Sequence, residues 1–289
     1  MNLEKICNII NAITPNEGTI RNIVKGVDIF KITKSQEHMK QCYEKGLIFI
    51  FQGKKEVLNE GSILTYDSHN YLILSLPKPV ECRVYATNDQ PILGIRIDAN
   101  PQIINEILFD CNFSFKYDEE SKPGIYTEVL NDNLADSLNR LLNCIMDKQD
   151  SKVLVPLYIK EILYFVLKSP HGYALNFASY NNDIYYKVSQ IADNIYVNFK
   201  DKYDVNSLAK QANISVSNFH NIFKEITGLS PIQYVKKIKL HKARELLIYN
   251  KVTAKLAAYE VGYESLSQFN REYKRMFGVT PKSETLLLQ

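Results

Sequence analysis

The sequence has 289 residues, long enough for two ordinary domains. Of these residues 45% are hydrophobic and 23% are charged, a composition that excludes a disordered chain. No apolar run approaches the ~20 residues of a membrane helix, and the N-terminal stretch MNLEKICNIINAITP lacks the apolar core of a secretory signal, so we expect no membrane partner. The five cysteines have no paired spacing, which favours reduced thiols and a cytoplasmic protein over a disulfide framework.

The formal net charge of +3 is divided unevenly along the chain. Residues 180–289 carry 16 Lys+Arg and 10 Asp+Glu, a balance of +6, whereas residues 1–179 carry 19 and 22, a balance of −3. A bias of this size also arises by chance. A basic C-terminal part is nevertheless what a domain that binds a polyanion such as nucleic acid would have.

The first hundred residues contain short runs of β-branched and aromatic residues separated by turn residues. The runs are VDIFKIT, LIFIFQGKKEVL, YLILSL, ECRVYAT and ILGIRID, and the breaks are Gly53, NEGS, LPKP and NDQP. Strands of this length and spacing predict an antiparallel sandwich or small barrel. A preceding apolar stripe at helical spacing predicts a short helix: Leu3, Ile6, Cys7, Ile10 and Ile13.

After residue 100 the pattern becomes helical. Pro101 suits a first helical position, and Asn131 or Asp132 opens a second helix with a stripe of apolar residues. The stripe is Leu134, Leu138, Leu141, Leu142 and Ile145. A third helix is predicted over Pro156–Leu167. These two adjacent apolar helices either pack into their own core or pair with a second copy of the chain, and the second alternative predicts a homodimer.

The segment SPHGYALNFASYNND follows and predicts a loop at a domain boundary. The predicted fold is therefore α+β and multidomain. Residues 1–175 are predicted to form a β-rich, cupin-like sandwich or barrel with a helical pair, and this pair is the candidate dimerisation surface. Residues 184–289 are predicted to form an all-α domain.

The all-α domain contains one sequence unit twice. NFHNIFKEITGLSP at residues 218–231 corresponds to QFNREYKRMFGVTP at residues 268–281, and the preceding SLAKQANIS corresponds to KLAAYEVGY. Gly262 and Asn213 occupy the positions where a tight turn needs a positive φ. Ser215 and Glu264 stand near the start of the next helix, where a cap or an acid is favourable. The pattern predicts two helix-turn-helix units, at about 204–227 and 253–277, joined by a helix at about 231–248.

The second helix of each unit has an apolar and a polar face. The apolar residues are Phe219, Ile222, Phe223 and Ile226 in the first unit, and Phe269, Tyr273 and Met276 in the second. The outward residues are Ser217, His220, Asn221 and Lys224, then Ser267, Gln268, Arg271, Lys274 and Arg275, with the acid Glu272 among the second set. Such side chains can donate to base edges and phosphates. A single polar face would be interpreted as solvated surface, but its recurrence on two matched helices favours a DNA-binding function.

The spacing of the two units also suits DNA. The joining helix spans roughly 25 Å at 1.5 Å per residue, enough to place two units in successive major grooves about 34 Å apart. The repeat thus matches a groove that returns once per helical turn.

Residues Ile184–Pro281 resemble the DNA-binding domain of the AraC/XylS family of bacterial transcription regulators, through FKEITGLSPIQYVKKIKLHKARELL and VGYESLSQFNREYKRMFGVTP. Residues Thr19–Ser169 resemble the family's N-terminal sensor domain, through LIFIFQGKKEVL, YLILSLPKPVECRVYAT, PILGIRID and YIKEILYFVLKSPHG. The resemblance implies a double-stranded DNA operator and a small-molecule effector as partners, with RNA polymerase as a candidate third partner. It places the recognition positions at Ser217, His220, Asn221, Ser267, Gln268 and Arg271.

Two other functions remain open for the first half. A cupin-like metal enzyme fused to a DNA-binding domain would need clustered His and carboxylate ligands, but only His38 and His69 occur there, without an H-x-H pair, and no hydrolase, P-loop or zincin motif is present. We therefore predict no enzymatic activity, cofactor or metal. A redox- or electrophile-sensing regulator would need a low-pKa thiol, for which Cys42 and Cys82 have neighbouring cations; a reversible ligand in the β-fold is favoured.

Overall fold

The structure is a computed structural model that describes residues 3–59, 61–113, 115, 121–147, 149–176 and 184–286. The chain divides into two compact units, one formed by Met1–Met39 and Tyr43–Tyr186, the other by Lys40–Cys42 and Lys187–Gln289. Residues 177–183, on which the predicted domain boundary falls, lie outside the described residues. Among those described, no helix is both long and apolar enough to cross a membrane.

The first unit is built from ten strands and five helices within the described residues. Its strands are β1 (Gly18–Val24), β2 (Val27–Ile32), β3 (Gln36–Tyr43), β4 (Gly46–Gln52), β5 (Lys54–Asn59), β6 (Ser62–Tyr66), β7 (Asn70–Leu74), β8 (Lys78–Tyr85), β9 (Ile92–Ile97) and β10 (Ile125–Val129). Its helices are α1 (Leu3–Ile13), α2 (Pro101–Cys111), α3 (Asp132–Ile145), α4 (Asp150–Leu167) and α5 (Tyr173–Asn176).

Two antiparallel sheets form the β-rich part, with strand orders β1-β2-β9-β4-β7-β10 and β3-β8-β5-β6. Alternation along β4 shows how they pack. Ile48 and Ile50 point into the core between the sheets, whereas Leu47 and Phe49 point to the opposite face, where the helices pack. A strand buried on both faces reads as a continuous apolar run, which explains LIFIF and confirms the predicted sandwich-like architecture.

Gly53 lies between β4 and β5, where the chain passes from one sheet to the other. Its φ is +83°, and a Cβ there would lie 2.7 Å from Cγ1 of Ile92. Both the left-handed backbone and the close approach require glycine. The predicted break at this residue is confirmed.

The helical stripes of the first unit are consumed by its own core. All five predicted α3 residues are buried there, as are Ile159, Ile162, Leu163, Val166 and Leu167 of α4. On the α3–α4 surface, Arg140 contacts both carboxylate oxygens of Glu161 at 2.6 Å. Core packing is thus the alternative that the structure shows for these stripes, so they do not supply a dimer surface.

Two boundaries differ from the sequence prediction. Helix α4 begins at Asp150, not Pro156, and Pro156 lies inside it on the exposed face. The hydrogen bond that proline removes leaves the carbonyl of exposed Lys152 to solvent, so the helix tolerates it. The predicted loop after α4 contains the one-turn helix α5. Its Ala174 and Leu175 are fully buried because they pack into the same core as α3 and α4.

Apart from Lys40–Cys42, which belong to β3, the regular elements of the second unit are all helices within the described residues. They are α6 (Ile184–Val197), α7 (Val205–Ala212), α8 (Val216–Thr227), α9 (Pro231–Ile248), α10 (Ala254–Glu260), α11 (Leu266–Phe277) and α12 (Pro281–Leu286). Helix α9 contributes to both halves of the unit. Near its start, the Tyr234 ring meets Phe223 of α8 at a centroid distance of 5.3 Å. Further along, Leu240, Ala243 and Leu247 join the core that α10 and α11 form.

Candidate nucleic-acid interface

Both helix-turn-helix units use the same start for the second helix. In the first, the Ser215 hydroxyl caps α8 by accepting from the Asn218 amide at 3.3 Å. In the second, the Ser265 hydroxyl caps α11 by accepting from the Gln268 amide, also at 3.3 Å. Glu264, expected at this helix start, instead pairs in solvent with Lys202 at 2.6 Å.

The turns before these helices have the predicted left-handed residues. Asn213 has φ +59° and Gly262 has φ +78°. The second position also excludes a side chain, because a Cβ on Gly262 would lie 2.5 Å from the carbonyl oxygen of Lys200. An asparagine therefore suffices in the first unit, whereas the second requires glycine.

The ends of α8 and α11 also match. Gly228 has φ +73° and donates its amide to the Lys224 carbonyl at 2.8 Å, and Gly278 has φ +81° and donates to the Lys274 carbonyl at 2.8 Å. A proline then opens the next helix in each case, Pro231 or Pro281. The sequence repeat is thus a repeat of hydrogen bonds.

The apolar faces point inward as predicted. Phe219, Phe223, Phe269 and Tyr273 are fully buried, and Met276 packs at the edge of the second core. The Tyr273 hydroxyl donates to Glu284 of α12, which also pairs with Arg244 of α9 at 2.6 Å.

The predicted site residues all lie on the opposite, outward faces. On α8 these are Ser217, Asn221 and Lys224, which are exposed, and His220, which is half-buried; on α11 they are Ser267, Gln268, Arg271, Lys274 and Arg275, all exposed. Each set occupies one continuous surface of a single helix. The structure therefore provides two polar surfaces, each on the second helix of a helix-turn-helix unit.

The basic groups on these surfaces lack acidic partners within the described part of the second unit: Lys224, Arg271, Lys274 and Arg275. Several bases elsewhere in the unit are paired, as Lys200 is with Glu260 at 2.5 Å and Lys236 is with Glu272 at 2.9 Å. Unpaired cations on an exposed helix face are available to phosphates.

Glu272 differs from the prediction, which placed it among the outward residues of α11. Its side chain is only 12% exposed and turns toward α9, where Lys236 pairs with it. The Tyr263 hydroxyl also donates to it at 2.7 Å. The Lys236 ammonium thus neutralises the carboxylate beside the basic residues of α11, and the sequence prediction missed both Lys236 and Tyr263 as neighbours of Glu272. The one sequence signal that Glu272 has a side-chain partner was its i,i+4 spacing from Gln268.

In the first unit His38 and Cys82, candidates for metal and thiol chemistry, both have protein partners. His38 bonds to Glu81 at 2.6 Å, and no group of three or more His, Cys, Asp or Glu suited to a metal occurs among the described residues. Cys82 is fully buried and donates to the Met39 carbonyl at 3.3 Å, so it is not the accessible thiol that electrophile sensing requires. Burial raises the pKa of the Cys7 thiol.

Two family models match the chain. One described as "AraC-type transcriptional regulator N-terminus" matches residues 23–174, more than half of the 289 residues. One described as "Helix-turn-helix domain" matches residues 208–284, which include the outward polar surfaces of α8 and α11.

Curated relatives match parts of the chain. A lactose operon transcription activator from Staphylococcus xylosus is 25% identical over 149 residues, covering 51% of this chain and 52% of that protein. The transcriptional activator RhaS from Escherichia coli strain SE11 is 30% identical over 84 residues, covering 29% of this chain and 30% of RhaS. The chain therefore spans about half or less of the length of these relatives.

Solved structures of ToxT from Vibrio cholerae share the fold over nearly the whole chain. An apo variant from strain SCE256 aligns with a TM-score of 0.64 at 12% identity, covering 95% of this chain and 99% of ToxT. A β-rich unit is followed by two helix-turn-helix units, and the regulator N-terminus model covers over half of the sequence. The chain belongs to the family of AraC-type transcriptional regulators.

Proposed function

We propose that this chain is a sequence-specific DNA-binding regulator of transcription that inserts α8 and α11 into successive major grooves of one operator. The single observation that carries the proposal is the doubled helix-turn-helix unit, with matched caps and two outward surfaces of donors and unpaired cations. The proposed place of action is the cytoplasm, where the chromosome lies, and the proposed function involves no enzymatic activity.

Within this site, Arg271 and Lys224 have different tasks. A guanidinium matches the two acceptors of a guanine edge, so Arg271 is assigned to base reading. A lysine ammonium is a point charge that suits phosphate, so Lys224 is assigned to the backbone.

The experiment begins with selection of binding sequences from random double-stranded DNA by the full chain. Selected and scrambled DNAs are then compared in competition at two salt concentrations. Arg271→Ala is expected to weaken binding to the selected DNA by about 1–3 kcal/mol and to leave scrambled DNA nearly unaffected. Lys224→Ala is expected to weaken both alike and to reduce the salt slope by about 0.9.

Lys152→Ala, an exposed lysine of the first unit, is the control for loss of one positive charge. Equal weakening of both DNAs by Arg271→Ala would show that Arg271 does not read bases. If neither substitution matters, the two outward faces are solvated surface only.

We also propose that the first unit senses a small-molecule effector. A solved ToxT structure from strain SCE256 that shares the fold at a TM-score of 0.59 holds an unsaturated fatty acid. The core between the two sheets is apolar except for the buried Lys55, whose ammonium lies 5.0 Å from the Tyr43 ring centroid, and its apolar part supports an effector with an apolar body. The test is operator affinity with and without a panel of candidate effectors. A chain whose affinity responds to none of them contradicts this part.

Self-association through the first unit is proposed as well, now through the outer face of α4 rather than its buried stripe. Val153 and Leu157 lie one turn apart there and are 66% and 57% exposed. Sedimentation is expected to show a dimer that Leu157→Glu disrupts, whereas Ile63→Glu, at a 51% exposed position on β6, leaves it intact. A wild-type chain that is a strict monomer, with and without DNA, refutes the proposal.

RNA polymerase is the proposed protein partner, since the two curated relatives are named activators. Transcription by purified polymerase from a promoter bearing the selected sequence is expected to rise when the chain is added. Unchanged or reduced transcription contradicts activation.

A further inference from the structure

Three elements of the second unit converge on the carboxylate of Glu272. The Tyr263 hydroxyl, from the turn between α10 and α11, donates to Oε2 at 2.7 Å. The Lys236 ammonium of α9 lies 2.9 Å from Oε1. The side-chain amide of Gln268, one turn earlier on α11, donates its Nε2 to Oε1 at 3.3 Å.

This convergence fixes the orientation of the Gln268 amide. Burial on its own would raise the pKa of Glu272, but hydrogen bonds from its three partners outweigh burial and lower that pKa below its usual range. An ionised carboxylate only accepts hydrogen bonds. The amide nitrogen of Gln268 must therefore face Glu272, and the amide oxygen must face away from it.

The fixed amide retains a defined recognition pattern. An amide has two N–H groups and one carbonyl oxygen, so one N–H and the oxygen remain after the bond to Glu272. One donor beside one acceptor is the pattern that the major-groove edge of adenine complements, through its N7 acceptor and N6 donor. Gln268 is exposed on the outward face of α11, where a base edge could reach it.

We propose that Glu272 is a positioning residue that sets base specificity by holding Gln268 in the orientation that reads adenine. This rests on the proposed function and deepens it. Lys236 and Tyr263 allow the arrangement. The Lys236 ammonium neutralises the carboxylate, so that it would not repel the phosphates of a bound DNA, and both residues anchor it, Lys236 to α9 and Tyr263 to the preceding turn.

The experiment compares base preferences of full-chain variants, obtained by selection from random DNA. Gln268→Ala first identifies the base pair that Gln268 reads, because preference disappears there alone. Glu272→Ala is expected to reduce the preference for adenine at that same base pair by about tenfold and to leave the preferences at the other positions unchanged. Glu272→Gln retains a carbonyl acceptor of the same size and is expected to keep much of the preference.

The matched control is Glu264→Ala, which removes an acid from the turn that holds Tyr263. The Glu264 carboxylate pairs with Lys202 and does not contact Gln268. It is expected to leave the preference at the identified base pair unchanged. A double variant, Gln268→Ala with Glu272→Ala, is expected to lose no more preference than Gln268→Ala alone, because Glu272 acts through Gln268.

Three results would overturn the proposal. Glu272→Ala could keep the full preference at the identified base pair, the identified base could be other than adenine, or the loss could spread over all positions, as general disruption of α11 would produce. If the wild-type chain selects no DNA sequence, the proposed function fails and this inference with it. If the wild-type chain binds a specific sequence and Glu272→Ala keeps the same base preferences, only this inference fails and the proposed function stands.

Discussion

Gly262 and Gly278 provide a pair of substitutions that separates two physical effects. Both have a left-handed backbone, with φ of +78° and +81°. A Cβ on Gly278 would meet nothing within 4 Å, whereas a Cβ on Gly262 would lie 2.5 Å from the Lys200 carbonyl oxygen and 3.4 Å from its carbon. The two sites thus share backbone strain and differ in available space.

The expected magnitudes follow from this difference. An alanine in the left-handed region costs about 1–2 kcal/mol, which is the whole expected effect of Gly278→Ala on the free energy of unfolding. In Gly262→Ala the neighbour is backbone and cannot rotate away, so an overpacking cost of about 1–3 kcal/mol adds to the strain. We expect a total loss of about 2–5 kcal/mol for Gly262→Ala.

The assay is urea unfolding of the full chain followed by circular dichroism at the helical band, combined with footprinting on the selected DNA. Gly262→Ala is expected to lower stability more than Gly278→Ala. It should also weaken protection at the groove proposed for α11, while protection at the groove proposed for α8 remains. Equal losses of stability for the two variants would refute the steric reasoning at the Lys200 carbonyl.

Further effects are expected in the second unit. Burial first, and then the neighbouring cations, lower the pKa of His241 to about 3; since the unfolded state takes up the proton near pH 6.5, stability is complete above that pH and falls by about 2 kcal/mol on going to pH 5. His241→Leu should remove this slope in urea unfolding series at the two pH values, and a slope that persists would show that other groups cause it. Ser215→Ala and Ser265→Ala each remove a cap and should each lower the free energy of unfolding by about 1 kcal/mol, whereas Ser283→Ala, at an exposed hydroxyl near the C-terminus, should have a smaller effect. Losses from the two cap variants that differ several-fold would contradict the equivalence of the two units.

Local signals made much of the fold predictable. The recurrence of left-handed turn residues and apolar spacing predicted both helix-turn-helix units, because each of these signals acts within a few residues of chain. The cap was predicted at Ser215 in the first unit and missed in the second, where Ser265 rather than Glu264 caps α11. The nine predicted site residues lie on the outward faces for the same reason, since a helical period of 3.6 assigns each position to a face.

Signals that depend on distant neighbours could not be read from the sequence. Strand β3, QEHMKQCY, has mostly exposed or half-buried side chains and lies at the edge of its sheet, so it lacks the apolar alternation of a central strand. The inward turn of Glu272 depends on Lys236, 36 residues earlier in the chain. The stripe of α3 looks the same whether it faces its own sheet or a second copy, and only the tertiary structure distinguishes these.

Helix α9 belongs to the cores of both helix-turn-helix units, and this constrains how the protein and its operator can change. Inserting one residue in α9 would rotate the second unit relative to the first by about 100° and advance it by about 1.5 Å. Inserting one base pair rotates the second groove by only about 35° and advances it by about 3.4 Å. A change in the length of α9 therefore cannot be compensated by a change in the number of base pairs between the two sites, or the reverse. Operators for related chains should differ freely in the bases that are read and hardly at all in the distance between the two sites.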